Sequence, residues 1–138
     1  MSVADDEPIT DDELLYRRIS VKSKWYDPST DSLEPQAFAP HKTNDVTGLS
    51  VYRAKYKTAE EASRRTPGEW YYVVVLRAGD LREKGMSVEP RPLADDRGHA
   101  DLPDLKADDY KSDITRERQR MLTNLRLGVE GPFQTPPG

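Results

Sequence analysis

His41 and His99 are the only imidazoles in the chain, and His99 has the more informative neighbours. It follows Gly98, and Asp101 comes two residues later. If this segment is extended, the carboxylate and the imidazole share one face of a strand, and such a pair can act as a general base. The alternative, which we favour, is that His99 caps a loop by bonding to the backbone.

Two adjacent arginines, Arg17 and Arg18, lie in an apolar stretch that we predict to be the first strand, residues 14–19. Successive side chains of a strand point to opposite faces, so each face carries one arginine. A guanidinium that points into a cleft can bind a phosphate or carboxylate through its planar fork. The competing interpretation is an ion pair with Asp or Glu at a sheet edge, and the sequence does not decide which arginine faces inward.

Aromatic residues are concentrated in three segments, and some of them could form a stacking surface for a base or nucleotide. Packing is the interpretation we favour, and Tyr16 with Tyr52 could be a simple cross-strand pair. The set consists of Trp25, Tyr26, Tyr52, Tyr56, Trp70, Tyr71 and Tyr72.

The familiar sequence motifs of cofactor and metal sites are missing. There is no phosphate-binding loop, no dinucleotide glycine fingerprint, no nucleophile elbow and no paired-histidine zinc helix. The absence of cysteine excludes disulfides, thiolate zinc sites and a cysteine nucleophile, and it fits a reducing cytosol. We therefore expect no metal and no cofactor.

One strongly apolar segment, residues 70–76, should organise the fold. Its aromatic and β-branched residues lack polar alternation, which predicts a strand with both faces covered. Thr58 and Glu61 form a capping box at the start of a short helix. Further strands are predicted over 14–19, 48–53, 86–89 and 99–102. A short helical turn over 78–85, capped by Asp80, and a helix from 112 or 113 to 125 are also predicted. The sequence predicts an α+β fold with a small mixed or antiparallel sheet and two or three short helices.

The C-terminal helix is rich in arginine. Arg116 and Arg120 are one turn apart and align, whereas Arg118 points elsewhere. A solvated helix face is the interpretation we favour. The alternative is a docking face for an acidic partner or for this chain's own acidic N-terminus.

The chain is predicted to contain one domain, residues 14–130, between two loose ends. Residues 1–13 carry six acidic residues and no basic one, which predicts a disordered acidic tail, and residues 131–138 are predicted to be flexible. Residues 20–48 form a long irregular loop that Trp25, Tyr26 and Phe38 should anchor. Loops of this length are usually functional or held by their own side chains.

Charge and hydropathy limit the classes of partner. The net charge of -4 provides no general attraction for nucleic acid, which is therefore a disfavoured partner. The longest apolar run is too short to span a bilayer, and the acidic N-terminus is the reverse of a signal peptide. We predict a cytoplasmic protein that does not engage membranes.

Four short segments resemble a group of short uncharacterised bacterial proteins over most of residues 14–105. They are Leu15-Tyr16-Arg17-Arg18-Ile19, Ala37-Phe38, Gly48-Leu49-Ser50-Val51 and Gly98-His99-Ala100. This resemblance implies no activity.

The chain is also distantly similar to ADP-ribosyltransferase-like folds. In those folds an arginine or histidine on a first strand and a serine or tyrosine on a second hold a nicotinamide nucleotide. The similarity implies Arg17 or Arg18, with Ser50 and Tyr52, as ligand-binding residues. It leaves Glu89 as the candidate for the late catalytic glutamate.

Two functions follow from these observations. The first is a cytosolic, non-catalytic interaction module in which the 20–48 loop and one sheet face engage a protein partner. The second is a nucleotide-binding protein or enzyme that uses NAD or another nucleotide. In it a first-strand arginine binds phosphate, Ser50 binds ribose, and His99 or Glu89 acts as acid or base.

Overall fold

The computed structural model of the chain describes residues 7–41, 45, 47–106 and 112–137. Residues 1–6 and 138, at the ends of the two predicted tails, lie outside the described residues, as do 42–44 and 46 of the predicted loop. Within the described residues the chain forms a six-stranded sheet, a separate two-stranded hairpin and three α-helices. The predicted α+β class is confirmed, and the sheet is antiparallel.

The elements are short, and most follow one another closely along the chain. The strands are β1 (Leu14–Ser20), β2 (Tyr26–Asp27), β3 (Ser32–Leu33), β4 (Leu49–Arg53), β5 (Trp70–Arg77), β6 (Glu89–Pro90), β7 (His99–Leu102) and β8 (Gly128–Gln134). The helices are α1 (Ala59–Ser63), α2 (Ala78–Glu83) and α3 (Asp113–Leu125). The large sheet has the order β6-β7-β4-β1-β5-β8, and β2 pairs with β3 to form the hairpin.

Strand β5 supplies the most deeply buried stretch of the sheet. Residues 71–76 are all buried, which confirms covered faces for this part of the strand predicted over 70–76, whereas Trp70 is 46% exposed. β5 pairs with β1 along the whole length of β1 and with β8 on its other side.

Strand β8 was not predicted, because Gly128, Gly131 and Pro132 are residues that usually weaken strands. An edge strand tolerates them, since a proline there leaves no ladder hydrogen bond unmade. The register between Tyr71 and Val73 of β5 shifts at this point, where β8 contains one extra residue. The ordered sheet therefore continues four residues beyond the predicted end of the domain.

The large sheet has one apolar face and one polar face. Side chains alternate along each strand, and directly opposed residues of antiparallel strands share a face. The apolar face carries Leu15, Ile19, Leu49, Val51, Tyr72, Val74, Leu76, Ala100 and Leu102. Leu81 of α2, Leu122 of α3 and Phe38 of the 3-10 turn Pro35–Phe38 pack in the same core. The polar face carries Tyr16, Arg18, Ser50, Tyr52, His99 and Asp101 on β1, β4 and β7, beside the buried Tyr71, Val73 and Val75 of β5.

Helix α1 begins at the predicted capping box. The Glu61 backbone N–H donates to the Thr58 hydroxyl at 3.1 Å, and the Thr58 backbone N–H donates to the Glu61 carboxylate at 3.0 Å. These two bonds satisfy two of the backbone donors that a helix start leaves free, which confirms the prediction.

Helix α2 begins at Ala78, two residues before the predicted cap at Asp80. The N–H groups of Ala78 and Gly79 donate to the carbonyls of Glu13 and Asp11 at 3.0 and 2.9 Å. Asp80 instead accepts a hydrogen bond from Arg77 at 3.0 Å. The N-terminal segment thus caps α2, which no local reading of residues 78–85 could reveal.

Residues 7–13 differ from the disordered tail predicted for residues 1–13. Ile9 is only 4% exposed and belongs to the apolar core. Arg53 of β4 donates to both carboxylate oxygens of Glu13 at 2.7 and 2.8 Å and to the Glu7 carbonyl at 2.7 Å. The physical reason is that a buried arginine at the sheet needs an anion, and this segment provides it.

The described part of the 20–48 loop is held to the rest of the fold by aromatic and polar contacts. Trp25 and Tyr26 pack against the core and Phe38 is fully buried, which confirms these predicted anchors. The Tyr26 ring meets Tyr72 edge-on at a centroid distance of 4.9 Å. Arg126, just after α3, donates to the carboxylate and to the carbonyl of Asp31 at 3.1 and 2.6 Å.

We expect acid to weaken the link between the hairpin and the end of α3. The pKa of Asp31 lies below its ordinary value, mainly because the Tyr26 hydroxyl donates to the carboxylate and also because Arg126 is near. With a depressed folded-state pKa, the stabilisation is present above the unfolded-state pKa and is lost as pH falls through the folded-state pKa. In an NMR titration Tyr26→Phe should raise the pKa of Asp31. The pKa of Asp27, which Ser29 lowers, should not change; an unmoved Asp31 would contradict the assignment.

Candidate functional site

Most of the residues predicted to bind or catalyse lie on the polar face, and the register explains why. Tyr52 of β4 is opposite both Tyr16 of β1 and His99 of β7. Ser50 is opposite Asp101, which in turn is opposite Glu89 of β6. The candidates on this face are Arg18, Ser50, Tyr52, Glu89 and His99.

Arg18 joins the first strand to α1 and to Tyr52. Its Nη1 donates to the carbonyls of Ala62 and Arg64, each at 3.1 Å, and its Nη2 donates to the Tyr52 hydroxyl at 3.1 Å. The guanidinium carbon lies 5.2 Å from the centroid of the Tyr52 ring. All these acceptors are neutral, and no carboxylate in the described residues forms an ion pair with Arg18. Its positive charge therefore remains available to an anion.

Tyr52 lies between two cations and an imidazole. Lys57 Nζ is 5.0 Å from the centroid of the Tyr52 ring, so the ring interacts with Lys57 as well as with Arg18. The His99 ring meets Tyr52 edge-on at a centroid distance of 5.9 Å. Lys57 also forms an ion pair with Asp96 at 2.8 Å. Tyr52 is thus a central member of the polar face, although the sequence favoured a packing role for the aromatic residues.

His99 is fixed in one ring orientation by its backbone contact. Its Nδ1 lies 2.8 Å from the Arg91 carbonyl, and because a carbonyl only accepts, Nδ1 carries the proton. The Nε2 atom lies 3.0 Å from Ser50 Oγ and 3.9 Å from a carboxylate oxygen of Asp101. His99 therefore bonds to the backbone, as in the favoured interpretation, and also presents a second nitrogen to Ser50.

The Ser50 hydroxyl has one hydrogen and two possible acceptors, His99 Nε2 and the Asp45 carboxylate. Its Oγ is also 2.9 Å from the Asp45 carboxylate, which accepts the Ser50 backbone N–H at 3.0 Å. With Nε2 unprotonated, the hydroxyl donates to His99 and Asp45 loses that donor. With Nε2 protonated, His99 donates to Ser50, Ser50 donates to Asp45, and every contact is satisfied. The arrangement differs from a catalytic triad, since the Nδ1 partner is a carbonyl instead of a carboxylate.

Arg17 lies on the apolar side of β1 and braces the loop. Its Nε donates to the Ala37 carbonyl and its Nη1 to the Ser50 carbonyl, both at 3.1 Å. Burial lowers the pKa of Arg17, and the nearby Asp45 carboxylate opposes that effect. The bond from Arg17 to the Ser50 carbonyl links β1 to β4 beyond Tyr16 and Tyr52, the last pair of residues that joins these strands on that side. Of the two adjacent arginines, Arg18 is the one on the polar face.

A shallow concavity adjoins the polar face. Its volume is about 250 Å³, and it lies beside His99 and Tyr52 because Gly98 and Lys57 contribute to its wall. The lining residues are Tyr56, Lys57, Asp95, Asp96, Arg97 and Gly98. The Arg97 guanidinium carbon lies 5.0 Å from the centroid of the Tyr56 ring, so this concavity also combines an aromatic ring with cations.

Three further residues of this region were not singled out from the sequence. Asp45 accepts from Ser50, Arg91 donates to Asp101 at 3.1 Å, and Lys57 lies over Tyr52. Asp45 carried a weak signal, because an aspartate shortly before a glycine often organises a turn. Arg91 and Lys57 carried none, since each reaches this region from an irregular segment.

Among the described residues, no group of three or more acidic, histidine or cysteine side chains is arranged to hold a metal ion. In the same part of the chain, no helix combines the length and apolar character needed to cross a membrane. No protein-family model, curated protein or solved structure matches the chain.

Proposed function

We propose that the polar face and its adjoining concavity bind an anionic nucleotide of the ADP-ribose class, such as NAD. The observation that carries this proposal is Arg18, a half-buried guanidinium whose hydrogen-bond acceptors within the described residues are all neutral and which lies against Tyr52. An arginine held in this way costs desolvation without the compensation of an ion pair. A phosphate supplies that compensation, because charge-assisted bonds to a guanidinium are about twice as strong as neutral ones.

The neighbouring groups match the remaining parts of a nucleotide. Ser50 and His99 form a connected donor and acceptor pair that suits a ribose hydroxyl. Tyr52 and Tyr56 offer rings next to cations, an arrangement that favours stacking of a base. The two parts are adjacent, so one dinucleotide could contact both.

Calorimetric titration with NAD, ADP-ribose and ADP tests this proposal, with adenosine as a probe that lacks phosphate. We expect binding of the phosphorylated probes and roughly 10- to 100-fold weaker binding by Arg18→Gln, because one or two charge-assisted hydrogen bonds are lost. The matched control is Arg82→Gln on α2, an arginine paired with Asp11 and outside the polar face, which should bind normally.

Thermal melts must accompany this titration, since Arg18 also links β1 to α1. If Arg18→Gln does not fold, Arg18→Lys keeps the charge while removing the planar fork, and it should still weaken binding. The absence of heat with all three phosphorylated probes, or equal affinity for adenosine, would contradict the proposal.

Catalysis is a separate question from binding, and His99 and Glu89 are the candidates for acid or base. Release of nicotinamide from NAD distinguishes an enzyme from a binder. In an enzyme that uses His99 as its base, His99→Ala lowers turnover by a larger factor than it weakens ADP-ribose binding, to which His99 contributes at the ribose.

A second candidate function is the cytosolic, non-catalytic protein-interaction module. The observation in its favour is a groove of about 520 Å³ between the 20–48 loop and α3, on the side of the sheet opposite the polar face. In this function the loop and α3 contact a protein partner, and neither a membrane nor nucleic acid is involved.

A further inference from the structure

The α3 groove is a polar cleft between the 3-10 turn Pro35–Phe38 and helix α3. One wall is formed by the turn and its flanking residues and the other by one side of the helix. The lining residues are Glu34, Pro35, Gln36, Ala39, Arg116, Gln119 and Arg120. This cleft is separate from Arg18 and the polar face.

Two arginines of α3 give the groove a positive wall. Arg116 and Arg120 are four residues apart, so their side chains lie one above the other on the same side of the helix. Both are exposed, and neither forms an ion pair or hydrogen bond through its side chain within the described residues. By contrast, Arg53, Arg77, Arg82 and Arg126 each bind an acidic side chain.

Gln119 lies between these arginines in the sequence and is buried at the base of the groove. The residue is 6% exposed, and its side-chain amide forms no hydrogen bond in the described part of the chain. No side-chain polar atom in that part is both shielded from solvent and unpaired, so the Gln119 amide atoms reach solvent in the groove and can pair with a ligand. An amide offers both donors and an acceptor, so a peptide group is a complementary partner for it.

We propose that the α3 groove binds an acidic segment of a partner protein in an extended conformation. Carboxylates at positions i and i+2 of that segment bind Arg116 and Arg120, and a peptide group between them pairs with Gln119. The spacing agrees, because Cβ atoms one helical turn apart are about 5–6 Å apart and alternate residues of an extended chain about 6.4–6.8 Å. This inference rests on the second candidate function and is independent of nucleotide binding.

Charge selects the acidic segment over other occupants. Among the described residues that line the groove, Glu34 is the only acidic one, and it lies on the wall opposite the two arginines. A segment with a carboxylate toward α3 and an uncharged side toward the turn avoids repulsion by Glu34. A nucleic-acid strand would bring phosphates along both walls and would meet that repulsion.

Fluorescence anisotropy with a labelled, end-capped heptapeptide tests this proposal, with Asp at positions 2, 4 and 6 and Ala elsewhere. We expect the Asn counterpart to bind at least 10-fold more weakly. Arg116→Ala and Arg120→Ala should each weaken binding of the Asp peptide 5- to 20-fold, and Gln119→Leu should weaken it 3- to 10-fold. Arg64→Ala, which removes an exposed arginine just after α1, should have no effect.

Chemical-shift mapping on the wild-type chain gives a readout that does not depend on variants folding. The side-chain NH₂ resonances of Gln119 should move on addition of the Asp peptide. Unmoved Gln119 resonances, or equal weakening by Arg64→Ala and Arg120→Ala, would overturn the proposal, as would tighter binding of a single-stranded RNA heptamer.

Heptapeptides with Lys or Leu in place of Asp distinguish failure of the acidic-groove proposal from failure of the protein-interaction function. Binding of either at the loop, without binding of the Asp peptide, overturns the acidic groove only, whereas failure of all three contradicts the protein-interaction function as well.

Discussion

Replacing Glu13 with alanine should lower the free energy of unfolding by about 3–5 kcal/mol, the cost of leaving one member of a buried ion pair uncompensated. The Arg53 side chain is fully buried and that of Glu13 is 8% exposed, and two hydrogen bonds join them. After the change, the hydrogen-bond acceptors left to Arg53 within the described residues are the carbonyls of Glu7 and Pro8, and the Tyr56 ring centroid lies 5.1 Å from its guanidinium carbon. Urea unfolding monitored by tryptophan fluorescence measures the effect.

The control for this result is Glu60→Ala, which removes an exposed carboxylate 3.7 Å from Arg64 on α1. Exposed helical pairs contribute about 0.3–0.5 kcal/mol, so this variant should be nearly as stable as the wild type. Replacing both members of the buried pair, by Arg53→Met with Glu13→Leu, should recover most of the loss, because no buried charge remains. A loss below 1 kcal/mol for Glu13→Ala would show that residues 7–13 contribute little to folding.

The parts of the fold that the sequence predicted are those specified locally. Residues 71–76 of the aromatic and β-branched run in β5 are buried, although Trp70 at its start is 46% exposed. The Thr58 and Glu61 capping box satisfies backbone donors within one turn. By contrast, the capping of α2 depends on the carbonyls of Asp11 and Glu13, over sixty residues earlier in the chain. Such a contact leaves no periodic pattern in either segment, so the sequence suggested a tail and a different cap.

The candidate site was partly predictable for the same reason. Alternation along a strand separates Arg17 from Arg18, but only the pairing of Tyr16 with Tyr52 shows which of them shares a face with Ser50. Asp101 was expected to share a face with His99, and it does, because the segment is a strand. Lys57 and Arg91 could not be placed, since their positions depend on how irregular segments fold back over the sheet.

Replacing Gly48 with alanine should lower the free energy of unfolding by about 2–6 kcal/mol, the combined cost of a strained backbone and an overpacked contact. Gly48 has a φ of +150°, which L side chains rarely adopt. A Cβ there would lie 2.7 Å from the Leu102 carbonyl oxygen and 2.9 Å from Pro103 Cα. These are backbone atoms, so the new methyl group must push β4 away from β7.

Alanine substitutions at two other glycines separate the cost of backbone strain from the cost of overpacking. Gly85→Ala introduces a side chain at a φ of +82° with nothing within 4 Å, so it should show conformational strain alone, about 1–3 kcal/mol. Gly128→Ala meets neither difficulty and should be close to neutral. If Gly48→Ala lowers the free energy of unfolding no more than Gly85→Ala does, the prediction that Gly48 lies tightly against the β7 backbone is wrong.

The consequence of Gly48→Ala should extend to the polar face. Ser50 belongs to β4 and His99 to β7, and the 3.0 Å contact between them exists only while these strands are paired. If nucleotide binding uses both residues, Gly48→Ala should weaken NAD binding in the molecules that still fold, whereas Gly85→Ala should not. Calorimetry on the two variants at a temperature where both are folded measures this difference. Unchanged NAD affinity in folded Gly48→Ala would show that the ligand does not depend on the alignment of β4 with β7, and would restrict the binding site to Arg18, Tyr52 and the adjoining concavity.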